Sequence, residues 1–245
     1  MLSFIDVRER VASVRLEVWV AVGLSAVLLC YGNAASSFPH DTRGQFLLWS
    51  NLALMVALLA WAVRWARFTL LEIGLDRRRV AGSALFGVVL SVLVAVPPVL
   101  FIVLVPLFTG NPVEAEEITD RSGAGMAYFL LVRQPVGTAL FEEVAFRGVL
   151  YGVWQRAGGD RAAILATSVV FSLWHLVVSS RTVAESGVVS APPAVAAGVI
   201  VLLAGLFVGG LIFAYLRWRT RSIAAPVMAH WLIVALMAVT VWVMG

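Results

Sequence analysis

The sequence has no lysine, a single cysteine and few charges for its length. Its eighteen basic residues are all arginine, and charged residues fill only 13% of the 245 positions, whereas soluble domains average about 25%. Cys30 alone cannot form an internal disulfide, so a disulfide-stabilised fold is excluded. Hydrophobic residues make up 61% of the chain, more than a soluble core can absorb. The composition therefore excludes an ordinary soluble domain and indicates a membrane protein.

The apolar residues form seven blocks, each long enough to cross a bilayer as a helix of about 20 residues. No soluble domain lies between them, because the intervening loops are short. We therefore expect an all-α, polytopic transmembrane helical bundle of about seven spans with an intramembrane cavity. Its expected parts are an N-terminal transmembrane region of three spans, residues 1–124, and a core of four spans, residues 125–245. The blocks cover residues 17–37, 44–66, 80–108, 125–156, 161–179, 193–217 and 222–244.

The arginines are distributed unevenly between the two ends of this bundle. If the N-terminus is inside, thirteen of them fall on the inner side and only Arg43, Arg121 and Arg181 fall outside. The positive-inside rule then predicts a multi-pass protein of the cell membrane with a cytoplasmic N-terminus and an external C-terminus. The formal charge of +4 reflects this topology, so the lipid bilayer is an expected partner and nucleic acid is not. The inner arginines are Arg8, Arg10, Arg15, Arg64, Arg67, Arg77, Arg78, Arg79, Arg156, Arg161, Arg217, Arg219 and Arg221.

The fourth block contains three charged residues where a charge costs about 2.5–3.5 kcal/mol on insertion scales. At 100° per residue, Glu143 and Arg147 lie 40° apart on one helical face and are expected to form an i, i+4 ion pair. Glu142 points about 100° away from Glu143 and has no partner nearby in the sequence. A lone carboxyl in hydrocarbon is normally protonated or paired, so a group on another helix should meet it.

Two of the three histidines lie within apolar blocks, at His175 and His230. Glu142 lies fourteen residues before Arg156, and His175 lies fourteen residues after Arg161. Across the turn at 158–159, both are therefore expected about 21 Å along antiparallel helices, at the same depth. His230 is nine residues beyond Arg221, about 13 Å, and helix tilt or a kink at Pro226 can close the difference.

A carboxylate and two imidazoles in an apolar cavity can support hydrolysis in two ways. Glu142, His175 and His230 can ligate zinc and leave an open position for water. Alternatively, Glu142 acts as general base on water while a histidine donates to the developing oxyanion. The residues alone leave both possibilities open.

The three motifs resemble the CPBP family of intramembrane proteases, which includes the type II CAAX prenyl endopeptidases and bacteriocin-processing or immunity proteins. The family pattern is EExxxR, then FxxxH, then HxxxN on successive helices. Glu142, Glu143 and Arg147 match the first motif, Phe171 and His175 the second, and His230 begins the third, over roughly residues 125–236. The resemblance implies that Glu142 and His175 activate water to cut a membrane-associated, prenylated or leader-type peptide, and that His230 supports the oxyanion or is a third ligand. Glu143, Arg147 and Phe171 would then hold the shape of the site.

The third motif departs from the family at Val234, where the family has asparagine. An apolar side chain cannot donate to an oxyanion, and loss of one such donor costs about 10²–10³ in rate. A catalytically inactive membrane scaffold or immunity-like protein is therefore the first alternative function. The second is a small transporter or proton relay that titrates Glu142 and the histidines. No paired inverted halves support transport.

Small residues spaced four apart predict two close helix contacts. Gly148 with Gly152, and Gly205 with Gly209, are expected to let neighbouring helices approach. Trp174, next to His175, is a candidate for the cavity wall.

Overall fold

The computed structural model of the chain describes residues 4–38, 40–110, 113, 115–186 and 188–245, and this part of the chain is a helical bundle without strands. The all-α prediction is confirmed. A 3₁₀ turn at Arg77–Arg79 precedes α3, and two π-helical stretches, Phe129–Leu140 and Val144–Leu150, flank α6. The α-helices are α1 Phe4–Ala35, α2 His40–Arg64, α3 Val80–Thr109, α4 Glu116–Thr119, α5 Gly123–Tyr128, α6 Phe141–Glu143, α7 Tyr151–Trp174, α8 Leu176–Glu185, α9 Pro192–Thr220 and α10 Ala224–Met244.

The helix that carries the two glutamates is wound largely as a π-helix. It runs without interruption from Gly123 to Gly158, and we call this run the site helix. Pro135 lies inside its first π-helical stretch. Because proline has no N–H and crowds the preceding turn, it disfavours regular α-helical hydrogen bonding. π-Helical turns are uncommon and concentrate at functional sites.

Gly159 ends the site helix and reverses the chain. Its φ of 79° and ψ of −177° suit glycine, which has no Cβ to clash. The rings of Phe146 and Phe171 lie 5.3 Å apart, although an unbroken helix would separate these residues by about 37 Å. The second half of α7 is therefore antiparallel to the site helix, as the spacing of Glu142 and His175 from the turn predicts.

The number of membrane-spanning candidates is lower than the seven that the sequence predicts. Among the described residues, five helices are long and apolar enough to cross a bilayer, and the bent pair Gly123–Trp174 with Leu176–Glu185 is a sixth candidate. The predicted blocks 125–156 and 161–179 both fall within this bent pair. The sequence analysis counts these two blocks as separate spans divided by the turn at Gly159. The count from helix length and composition treats both blocks as parts of one bent candidate.

Arginines gather at one end of the bundle, where they bind the loop between α2 and α3. Arg156 bonds to Glu72 Oε1 and to the Ala66 carbonyl, each at 2.7 Å. Arg217 is buried and donates to the carbonyls of Glu72, at 2.6 Å, and of Arg147, at 3.1 Å. These bonds join the loop to the ends of α9 and the site helix. Which side of the membrane this end faces stays a prediction, and the side chains of Arg8, Arg10, Arg15 and Arg43 lie outside the described part.

Neither predicted helix contact forms as expected, because Gly148 and Gly152 approach the loop between α2 and α3 rather than a helix, and Gly205 and Gly209 approach no neighbour. A Cβ on Gly148 would lie 3.3 Å from the Ile73 carbonyl oxygen, and one on Gly152 would lie 3.1 Å from the Phe68 ring. Gly205 and Gly209 instead have open space around them. The close approach on α9 is made by Gly210, whose Cβ would meet Ser168 Cα at 3.0 Å. Four-residue spacing predicts that small residues share one face of a helix. It does not predict whether that face packs against a neighbouring helix.

Candidate active site

Glu143 binds both an arginine of its own helix and a histidine of another. The side chains of Glu143 and Arg147 are fully buried, and Arg147 Nη1 lies 3.3 Å from Glu143 Oε1, so the predicted i, i+4 ion pair is confirmed. The same Oε1 lies 2.9 Å from His230 Nδ1 on α10. Arg147 Nη2 also donates to the Gly210 carbonyl on α9 at 3.3 Å. One buried carboxylate and one guanidinium therefore link the site helix, α9 and α10.

Aromatic rings enclose this polar group. The Arg147 guanidinium lies 4.2 Å from the centroid of the Phe171 ring and 5.2 Å from that of Phe213. His230 stacks on Phe213 at 5.2 Å, and His175 packs edge-on against Phe171 at 4.7 Å. Such contacts stabilise a desolvated cation and restrict the orientation of the imidazoles. Phe171 thus contacts Arg147 of the first motif and His175 of its own motif.

Glu142 is buried on the same helix but faces the two imidazoles. Its Oε2 lies 3.8 Å from His175 Nε2 and 4.0 Å from His230 Nε2. This oxygen has no hydrogen-bond partner among the described residues. The prediction that a group on another helix meets Glu142 is confirmed at these distances. They exceed direct hydrogen bonds, and polar groups at such a separation are commonly bridged by water.

The backbone break at His175 brings its ring to Glu142. His175 has φ −91° and ψ 10°, between α7 and α8, which are bent by 47° relative to each other. Its Nδ1 lies 2.8 Å from the Phe171 carbonyl oxygen. Because a carbonyl can only accept, Nδ1 carries the hydrogen. The Nε2 of a neutral His175 therefore presents a lone pair towards Glu142.

A cavity of about 200 Å³ opens beside Glu142 and His175. Trp174 lines it, which confirms the prediction for this residue. Its other walls come from α1, α2, the site helix and α8, so the first two helices contribute to the site. The lining residues are Tyr31, Gly32, Ala35, Ser36, Leu47, Leu48, Asn51, Arg133, Gly137, Thr138, Glu142, Trp174, His175 and Val178.

Tyr31 and Asn51 are polar cavity residues that the motif analysis does not identify. The Tyr31 hydroxyl donates to Asn51 Oδ1 at 2.7 Å, and Asn51 Nδ2 donates to the Gly137 carbonyl at 2.8 Å. This chain of bonds ties α1 and α2 to the site helix one turn before Glu142. Asn51 is an amide in the middle of the apolar block that forms α2. A polar residue at such a position is a sequence signal that could have identified this part of the cavity.

Val234 lies one turn beyond His230 on α10 and is half-buried. Its side chain is apolar, whereas the HxxxN pattern has the amide of asparagine at this position. The group on α10 that faces the Glu142 carboxylate is the His230 imidazole, through its Nε2.

The zinc prediction concerns the donor atoms of Glu142, His175 and His230. The Nε2 atoms of His175 and His230 both face Glu142 Oε2, while both Nδ1 atoms are hydrogen-bonded elsewhere. Within the described ranges, however, no group of three or more His, Cys, Asp or Glu side chains is arranged to hold a metal ion. The assignment of Glu142, His175 and His230 as zinc ligands therefore stays a prediction.

Comparison with known proteins identifies a family for the second half of the chain. Residues 124–236 match the family model described as type II CAAX prenyl endopeptidase Rce1-like. The matched segment begins at the start of the site helix and includes Glu142, His175 and His230. No curated protein matches the chain, and no solved structure matches it.

Proposed function

Because residues 124–236 match the family model described as type II CAAX prenyl endopeptidase Rce1-like, we propose that the protein is an intramembrane endopeptidase. It hydrolyses a peptide bond with water activated by Glu142 and His175. The observation that carries this proposal is the buried Glu142 Oε2, which faces two imidazole nitrogens and has no partner of its own in the described structure.

Water is activated between Glu142 and His175. A water that bridges the 3.8 Å separation donates one hydrogen to Glu142 Oε2 and the other to His175 Nε2. Its lone pair is then free to attack the substrate carbonyl as Glu142 removes the proton. General-base catalysis of this kind contributes about 10²–10⁴ in rate.

His230 stabilises the oxyanion in this scheme. Glu143 accepts a hydrogen bond from His230 Nδ1, so it orients the ring and stabilises a protonated imidazole, as the aspartate of a Ser-His-Asp triad does. The protonated Nε2 donates to the carbonyl oxygen as negative charge develops there. When the C–N bond breaks, the proton held by Glu142 passes to the leaving amine, which balances the reaction.

The substrate is a peptide associated with the membrane. It enters the cavity formed by α1, α2, the site helix and α8, which is lined by apolar side chains together with Arg133, Asn51 and Thr138. Prenylated peptides, leader peptides and segments of membrane proteins all belong to this class. Glu143, Arg147 and Phe171 act as positioning residues, because each contacts a histidine of the site or the group that holds it.

Cleavage by the purified protein in liposomes tests the proposal. Membrane-tethered peptides are incubated with wild type and with Glu142→Ala/His175→Ala, and products are identified by mass spectrometry. Scission by wild type alone supports the peptidase. If wild type is as inert as the variant across the peptide library, the protein is a scaffold that retains the fold. A proton relay would instead show pH-driven flux that Glu142→Gln abolishes.

A further inference from the structure

A second cavity lies at the arginine-rich end of the bundle, away from the active site. It has a volume of about 350 Å³ and is formed by the start of α3 and the end of α9. This volume lies within the range of small-molecule sites, about 300–1,000 Å³. Its lining residues are Arg78, Arg79, Gly82, Ser83, Phe86, Arg219 and Thr220.

The charge of this cavity is entirely positive. Three arginines line it and no carboxylate does. Asp76 pairs with Arg79 Nε at 3.3 Å but is not part of the wall. The guanidinium groups of Arg78 and Arg219 have no hydrogen-bond or ion-pair partner within the described part of the chain. Several guanidinium groups that converge on one cavity suit a phosphate, because each presents a planar set of donors to its oxygens.

An apolar track leads away from the cavity along α3. Phe86 lines the cavity, and Val89 and Leu93 follow it at helical spacing on the same face. Their side chains are 43%, 60% and 67% exposed, respectively. α3 is a membrane-spanning candidate, so this exposed face contacts lipid tails. A polar phosphate site that continues into a lipid-facing apolar track matches the two parts of a phospholipid.

We propose that this cavity binds the headgroup of an anionic phospholipid, with its phosphate held by Arg78, Arg79 and Arg219 and its acyl chains lying along Phe86, Val89 and Leu93. Basic pockets between membrane helices on the cytoplasmic side are a recognised form of lipid recognition. The arginine-rich end is the one that the positive-inside rule assigns to the cytoplasm. The bound lipid joins α3 to α9 at a point remote from Glu142.

Thermal unfolding of the full-length protein in mixed micelles tests this site. The probes are phosphatidylglycerol, phosphatidylcholine and glycerol 3-phosphate, each added to delipidated protein. Phosphatidylglycerol should raise Tm by roughly 5–10 °C at about a hundredfold excess over its Kd, whereas phosphatidylcholine should not. An equal shift with both lipids overturns the proposal. A full shift with glycerol 3-phosphate also overturns it, because the site would then bind a soluble phosphate.

Two independent variants locate the site. Arg78→Gln/Arg79→Gln/Arg219→Gln removes the charges, and Gly82→Leu fills the cavity without changing charge. A Cβ at Gly82 has no atom within 4 Å, so the larger side chain is accommodated without strain. Both should lose the shift caused by phosphatidylglycerol. Arg64→Gln/Arg77→Gln/Arg161→Gln, a matched control at exposed positions outside the cavity wall, should keep it. If Gly82→Leu retains the full shift, or if the control loses it as well, the lipid does not occupy this cavity.

Discussion

Glu143 and His230 are hydrogen-bonded across the bundle, Oε1 to Nδ1 at 2.9 Å, although 87 residues separate them in the sequence. The same carboxylate oxygen accepts from Arg147 at 3.3 Å. Glu143 therefore has two tasks: it neutralises a buried arginine, and it orients an imidazole whose other nitrogen faces Glu142. In the proposed mechanism, Glu143 holds the structure of the site and Glu142 carries out its chemistry.

Glu143 and Arg147 should make a coupled contribution to the free energy of unfolding, because they form a buried ion pair. Glu143→Gln is expected to lower the free energy of unfolding by about 3–5 kcal/mol, because it leaves the Arg147 charge buried without a carboxylate. Reversible unfolding in mixed micelles measures the change. Adding Arg147→Met to this variant should recover part of the loss. If the double variant instead loses the sum of both single changes, the two side chains are not coupled.

Restoring an amide at position 234 should increase catalysis. Val234 lies one turn after His230 on α10, where an asparagine would add an oxyanion donor. Val234→Asn is expected to raise kcat by up to about 10²–10³, the usual contribution of one such donor. Val239→Asn, at an exposed position of the same helix, is the matched control and should leave kcat unchanged. A folded Val234→Asn variant with wild-type kcat would show that His230 alone supplies the donor.

Filling the cavity should weaken substrate binding without removing the catalytic groups. Val178 lines the cavity and Val177 does not, although both are half-buried on α8. Val178→Trp is expected to raise KM for the cleaved peptide at least tenfold because the ring occupies the space for the substrate. Each tenfold change corresponds to about 1.4 kcal/mol of binding free energy. If Val177→Trp raises KM equally, the substrate does not enter by this cavity.

The proposed water activation uses side chains alone, so cleavage should survive removal of metal. Wild type dialysed against 1,10-phenanthroline is expected to retain its kcat, and elemental analysis should find no stoichiometric zinc. The alternative predicted from the sequence, zinc held by Glu142, His175 and His230, requires loss of activity with chelator and recovery on adding Zn²⁺. That result would assign these residues as ligands.

Local spacing predicted part of the site correctly, because helical geometry fixes it. The ion pair of Glu143 and Arg147 follows from four-residue spacing, and the common depth of Glu142 and His175 follows from equal distances to the turn at Gly159. The adjacent glycines Gly158 and Gly159 predict the turn itself. These features depend on the rise and periodicity of a helix and on little else.

Other features depend on tertiary packing and could not be derived in this way. The bond between Glu143 and His230 depends on how α10 is rotated about its axis relative to the site helix. The spacing of His230 from Arg221 predicts its depth but not this rotation. The walls contributed by Tyr31 and Asn51 require α1 and α2 to pack beside the site helix. The open space beside Gly205 and Gly209 likewise depends on which face of α9 meets a neighbour. The division into residues 1–124 and 125–245 stays a prediction.

The steady-state kinetics of Glu142→Gln test the central claim most directly. The substitution keeps the size and polarity of the side chain but removes the base that faces His175 and His230. On a peptide that wild type cleaves, kcat should fall by about 10²–10⁴ with KM little changed. Glu17→Gln, in the candidate span of α1 and outside the cavity wall, should match wild type. If Glu142→Gln cleaves at the wild-type rate, Glu142 is not the general base and the proposed mechanism is wrong.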